Sequence, residues 1–247
     1  MINTPERPRP PGNPEQVRLW GIDLLFDKAN HVLYSLELGQ TPRLLILVTG
    51  YPEGKGELAN SAGVTLEGFF KQANNEIAMA QVYTGSRYNP RQIVNLSKYL
   101  KHTLDIVGNS TPVDLVVYSA GAMSLTGIPQ EYFDRINSLT FISPVVEVGS
   151  IKKVSESKYA RFLKGVLKKI TGIPSINEYF KSITPLIEDL QQRSRSVNLI
   201  LGEKDDVVNN GDVQKAFHDH FAHVPITFTI NSRNHATTVE EVLTPVS

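Results

Sequence analysis

The stretch Asp114–Met123, DLVVYSAGAM, carries an apolar run up to Ser119 and then breaks into small residues, with Ala120 and Ala122 on either side of Gly121. A short continuous apolar run is the pattern of a strand buried on both faces. A serine where such a strand ends has two uses. It can cap the helix that follows, or it can be a nucleophile held on a sharp turn. The choice depends on what the rest of the chain brings to the same end of the sheet.

Working outward, Val113–Tyr118 reads as the strand itself. Arg43–Val48 (RLLILV) and Glu76–Tyr83 (EIAMAQVY) read as further buried strands. So do Ser138–Ile142 (SLTFI, followed by Ser143-Pro144), Val197–Leu201 (VNLIL) and Ile226–Ile230 (ITFTI). Val17–Phe26 and Val32–Leu38 flank Asp27–Asn30 (DKAN), which predicts an antiparallel hairpin at one edge. The clearest helix is NPRQIVNLSKYLKHTLDIV, with Asn89 as cap and Pro90 in the first turn; Ile93, Leu96, Leu100 and Leu104 recur at helical spacing. Val64–Ala73, a stretch near Asp212–Phe221 and the C-terminal segment also read as helical. Strands alternating with helices predict an α/β protein with a mostly parallel central sheet flanked by helices. In such sheets ligands bind beyond the carboxyl ends of the strands. The informative residues are therefore Thr49–Tyr51, Ser119-Ala120, Gly202–Asp206 and Asn231–His235.

Bulk properties narrow the function. A length of 247 residues predicts one large domain, or one domain with an insertion. A formal net charge of +0 gives no general affinity for nucleic acid. There is no cysteine, which excludes disulfides, thiolate metal sites and cysteine catalysis. No apolar run approaches the roughly 20 residues of a membrane-spanning helix. Residues 1–16 are polar and proline-rich, unlike a secretory leader, and predict a flexible lead-in. The expected location is cytoplasmic.

The strand ends supply a serine, then acids, then a histidine: Ser119, Asp205 or Asp206, and His235. A serine hydroxyl is hardly ionised at neutral pH. A histidine within reach takes its proton, and a carboxylate orients that histidine and stabilises the imidazolium. Acyl transfer also needs amides aimed at the developing oxyanion. The amide after the nucleophile is that of Ala120.

This ordered set resembles the α/β-hydrolase superfamily. Val117–Gly121 (VYSAG) resembles its nucleophile elbow, small-x-Ser-x-Gly. Gly202, Asp205 and Val208 match its acid loop, Gly-x-x-Asp-x-x-Val, which favours Asp205 over Asp206. Asn234–Ala236 (NHA) resembles its histidine loop, and TGYPEG stands where the family has its oxyanion loop. Two positions depart from the pattern: Val117 stands where the family prefers a small residue, and Thr49 where it has histidine. The resemblance implies an α/β-hydrolase core at 17–149 and 194–247, with a helical cap inserted at 150–193. It implies a serine hydrolase that cleaves a carboxylic ester or thioester through an acyl-serine intermediate. Ser119, Asp205 and His235 would be catalytic, and Tyr51 and Ala120 would form the oxyanion hole. No metal or organic cofactor is implied. The implied partner is a small acyl ester or thioester, not nucleic acid; oligomeric state is left open.

Other motifs read more simply. GYPEGKG has too few residues between Gly50 and Gly54, and no Ser or Thr after Lys55, for a phosphate-binding loop. His218 and His220 point to opposite sides of a helix, so HDHFAH is a solvated face rather than a metal cluster. In the cap, Tyr159, Phe162, Leu163, Val166, Leu167 and Ile170 form one face opposite Arg161, Lys164 and Lys168. That face can line an acyl pocket, pack on the core, or lie on an anionic membrane surface. Two alternatives follow: a non-catalytic scaffold that keeps the fold, and a lipid hydrolase that works at a membrane surface.

Overall fold

The computed structural model describes residues 14–19, 21–30, 32–35, 43–49, 77–82, 90–107, 112–147, 150–151 and 174–234. The strands are β1 (Glu15–Leu19), β2 (Ile22–Asp27), β3 (Val32–Ser35), β4 (Arg43–Val48), β5 (Ile77–Val82), β6 (Val113–Tyr118), β7 (Ile136–Ile142), β8 (Ser196–Gly202) and β9 (Thr227–Asn231). The helices are α1 (Pro90–Val107), α2 (Ile176–Gln192) and α3 (Asn210–Phe221), with short 3-10 helices at Ser119–Leu125 and Gln130–Arg135.

Among the described residues nine strands form one sheet in the order β1-β2-β3-β5-β4-β6-β7-β8-β9. From β5 to β9 every neighbouring pair is parallel. β1, β2 and β3 pair antiparallel and join the parallel part through β5. The expected hairpin is thus a three-stranded meander. Gly21, at φ 82°, turns the chain inside the run read as one strand. A left-handed φ suits glycine, and it splits Val17–Phe26 into two strands paired with each other. β1 starts at Glu15, two residues before the expected core boundary at 17.

After β4 the chain moves to β5 on one side, and after β5 it returns to β6 on the other. That reversal opens a crevice at the carboxyl ends of β4 and β6. Val48 pairs with Val117, so Thr49 leaves β4 beside the strand end that carries Ser119.

Alternate residues of the parallel strands face the helices. Ile46, Leu115, Phe141 and Leu199, all 0% exposed, share one apolar cluster with Leu100 and Leu104 of α1. α2 and α3 join this cluster through an aromatic knot. Phe217 stands edge-on to Phe141 with centroids 5.0 Å apart, and Phe180 stands edge-on to Phe217 at 5.1 Å. Tyr179, Phe180, Ile183, Leu186, Ile187 and Leu190 of α2 are buried. The C-terminal part of the segment read as a cap is therefore a crossover helix of the core, joining β7 to β8. Its amphipathic pattern reflects packing on the sheet. The stretch Tyr159–Ile170 lies outside the described residues, as do the helices expected at Val64–Ala73 and at the C-terminus, and the cap residue Asn89.

The meander is fastened to α1 by a polar cluster. Asp27 is buried and accepts hydrogen bonds from the backbone and side chain of Asn30. His102 Nε2 lies 3.2 Å from its Oδ2. Burial pushes the Asp27 carboxyl up, but the bonds from Asn30 and His102 outweigh it and hold the group below its ordinary value.

Candidate active site

Ser119 directly follows β6 and has φ 53°. Tyr118 before it is still extended, at φ −112° and ψ 132°, and the 3-10 helix starts at Ser119 itself. The serine therefore sits on an abrupt strand-to-helix corner in a backbone region that side chains with a Cβ rarely occupy. Gly121 explains how the corner closes. A Cβ built there would lie 2.1 Å from the Val48 carbonyl oxygen and 3.0 Å from the Thr49 carbonyl carbon. Only glycine lets the start of this helix rest against the end of β4. Val117, which stands where the family prefers a small residue, is fully buried in the apolar cluster, and the corner forms with it in place.

The turn is anchored on several sides. Val145 N–H donates to the Ser119 carbonyl at 3.0 Å. The Tyr179 hydroxyl, whose burial pushes its titration up, donates to the Ala122 carbonyl at 3.3 Å. Ser97 of α1 donates to the Thr126 carbonyl at 2.6 Å. Ser119 is 7% exposed and Ala120 is 5% exposed, so the corner lies below the surface.

Asp205 follows β8. Its N–H closes a tight turn onto the Gly202 carbonyl at 2.9 Å. Its side chain is 0% exposed, and its Oδ1 accepts from the N–H groups of Val207 at 2.9 Å and Val208 at 2.8 Å. Gly202 also accepts from the Asn210 side chain, and Val208 forms a bridge to Ile151. Asp206, the competing acid, is exposed. The two aspartates adjoin in sequence, yet the turn sends one inward and the other out.

The loop after β9 is tied to this acid loop. Glu203 N–H donates to the Asn231 carbonyl at 2.6 Å, and Lys204 N–H to the Arg233 carbonyl at 3.1 Å. The Asn231 side chain in turn accepts from Arg233 N–H at 3.1 Å. The description ends at Asn234, so His235 lies outside the described residues, as does Tyr51. The structure places Ser119, Ala120 and Asp205 at the carboxyl ends of parallel strands, and carries the chain after β9 along the Asp205 loop.

The fold is shared with solved structures. Est1E from Butyrivibrio proteoclasticus superposes with a TM-score of 0.55 and 13% identity over 94% of this chain and 96% of that one.

The chain has the α/β-hydrolase fold.

A Pyrococcus furiosus esterase, Pf2001, matches with a TM-score of 0.52 and 16% identity over 90% of this chain and 82% of its own. The thioesterase domain from the curacin biosynthetic pathway matches at 0.52 and 9% identity over 93% and 98%. No protein-family model and no curated protein matches the chain. The segment expected to be the nucleophile elbow forms the corner at Ser119, and the segment expected to be the acid loop forms the turn at Asp205. Two histidines of HDHFAH have other contacts. His220 stacks on Phe180 with centroids 4.2 Å apart, and His218 lies 3.7 Å from Asp219. Among the described residues no group of three or more His, Cys, Asp or Glu could hold a metal ion, and no helix is long and apolar enough to cross a membrane.

Proposed function

We propose that this protein is a serine hydrolase that cleaves a carboxylic ester or thioester through an acyl-serine intermediate. The observation that carries the proposal is the corner at Ser119: φ 53° on a buried serine, with Gly121 against the Val48 carbonyl. A cap alone needs no left-handed backbone, since capping residues are ordinarily extended. A nucleophile needs its hydroxyl raised above the sheet and amides beneath the developing oxyanion.

In this reading Ser119 Oγ attacks the carbonyl carbon while His235 takes its proton. The C=O π pair moves onto oxygen, where the amides of Ala120 and Tyr51 receive the charge. Collapse expels the alcohol or thiol, which leaves with the proton returned by His235. Water then repeats the sequence on the acyl-serine and releases the acid and free Ser119. Asp205 orients His235 and stabilises its cation. Its buried carboxylate, with Oδ1 held by two backbone amides, favours it over exposed Asp206. The esterase and thioesterase named among similar structures favour an acyl-oxygen or acyl-sulfur bond as the one cleaved.

The test is intact-mass analysis after incubation with a fluorophosphonate, on wild type and Ser119→Ala. The expected result is one adduct on wild type and none on the variant, with turnover of acyl esters lost by at least about 10³-fold. A folded wild type that takes no adduct overturns the proposal and leaves the scaffold reading in its place.

A further inference from the structure

Ser143 lies beside Ser119 across the sheet. Tyr118 pairs with Ile142 at the end of the β6–β7 ladder, so the residue after each leaves a neighbouring strand end. Ser143 N–H donates to the Ile200 carbonyl at 2.9 Å, which extends the ladder to β8. Its φ is 40°, left-handed like that of Ser119 at 53°. The chain then bends over β6, where Val145 N–H meets the Ser119 carbonyl.

Ser143 is 0% exposed, and its hydroxyl has no hydrogen-bond partner among the described residues. Buried hydroxyls are ordinarily paired. Glycine would adopt this φ freely, and alanine would fill the space without an unpaired polar atom. Two unfavourable features thus meet in one residue, one strand away from the candidate nucleophile. Strain and unpaired buried groups gather where a site needs a group ready for something that arrives later.

We propose that Ser143 is a substrate-binding residue of the same site, whose hydroxyl donates a hydrogen bond to an oxygen of the acyl substrate. The proposal rests on the serine-hydrolase reading and adds a named contact to it. Ester and thioester oxygens only accept, and a serine hydroxyl can donate. Both serines are buried, Ser119 being itself only 7% exposed. The two serines leave neighbouring strands one strand spacing, ~4.8 Å, apart.

The experiment compares wild type, Ser143→Ala and Ser143→Gly by ester kinetics, fluorophosphonate labelling of Ser119 and thermal unfolding. The substrate is the p-nitrophenyl ester, from a short-to-long acyl series, that wild type turns over fastest. Alanine removes the hydroxyl and keeps the backbone cost; glycine removes both. The expected result is a KM raised about tenfold in both variants, as for one lost hydrogen bond, with kcat within about twofold. Labelling of Ser119 should keep its wild-type rate, and the glycine variant should melt no lower than the alanine one. An unchanged KM in both variants overturns the proposal. So does activity lost in Ser143→Ala but regained in Ser143→Gly, which would assign the effect to the backbone. Turnover and labelling lost together also overturn it, because Ser143 would then only shape the nucleophile corner. A wild type that labels while these variants behave like it sinks this inference alone; a wild type that does not label sinks the reading of Ser119 as well.

Discussion

At Gly121 a single hydrogen decides whether the corner at Ser119 can close. Gly121→Ala forces a methyl into the space of the Val48 carbonyl oxygen, 2.1 Å away. That atom is backbone in a central strand and cannot swing aside. Overpacking of this kind costs about 3 kcal/mol. Urea unfolding should show that loss, and fluorophosphonate labelling should fall with it. The aspartates give a second prediction. If Asp205 orients His235 as proposed, Asp205→Asn should lower kcat about 10⁴-fold, because an amide in place of the carboxylate favours the wrong histidine tautomer. Asp206→Asn should stay within about twofold of wild type, since its side chain is exposed. Steady-state ester kinetics on the two variants decides, and the reverse ranking would move the acid to Asp206. Sequence alone could not rank them firmly, since both follow the same strand and both suit a turn. The turn from Gly202 to Asp205 and the amides of Val207 and Val208 separate them. Gly121 was legible as a small residue after the serine. Its reason, the approach of the helix to β4, joins residues far apart in sequence.

At the scale of elements, α2 shows where helical periodicity stops being informative. Ile176–Gln192 has an apolar face by any reading, but that pattern does not say whether the face meets a substrate or a sheet. The aromatic contacts among Phe141, Phe180 and Phe217 settle that it meets the sheet. The start of α2 is set locally. Ser175 Oγ accepts from Glu178 N–H at 3.5 Å, and Glu178 accepts from Ser175 N–H at 2.7 Å, a reciprocal capping box. Ser175→Ala should cost about 1 kcal/mol in chemical denaturation while leaving ester turnover unchanged. The C-terminus of α2 ends similarly: Ser194 turns left-handed at φ 56°, and Arg195 N–H reaches back to the Leu190 carbonyl at 2.8 Å. The split of Val17–Phe26 into β1 and β2 was visible in principle at Gly21. The alternation of apolar residues around it reads as one longer strand unless the glycine's turn is given priority.

For the whole molecule, the antiparallel meander and the parallel sheet are joined by backbone pairing of β3 to β5 and by the Asp27 cluster. The folded-state pKa of Asp27 is lowered, so its stabilising contribution is present above the ordinary carboxylate value, about 4, and is lost as pH falls through the lower folded value. At pH 7 Asp27→Asn should therefore be less stable than wild type by about 2 kcal/mol, the size of a hydrogen-bonded charge. The difference should shrink as pH drops below about 4. Denaturation of both proteins over that pH range measures it; a gap that stays constant into acid would rule out the ionised carboxylate as its source.

The sequence by itself determined the strands from β4 to β9, their alternation with helices, and the ordering of a serine, an acid and a histidine along the strand ends. Those features are local: apolar runs, turn residues and their spacing are set within a few residues of chain. The tertiary structure alone decided the strand order that opens the crevice between β4 and β6, and the burial of Asp205 against the exposure of Asp206. It alone assigned α2 to the core and paired Ser119 with Ser143 as neighbours with left-handed backbones. Each of these depends on contacts between segments distant in sequence, where packing and backbone hydrogen bonding override what any single stretch prefers.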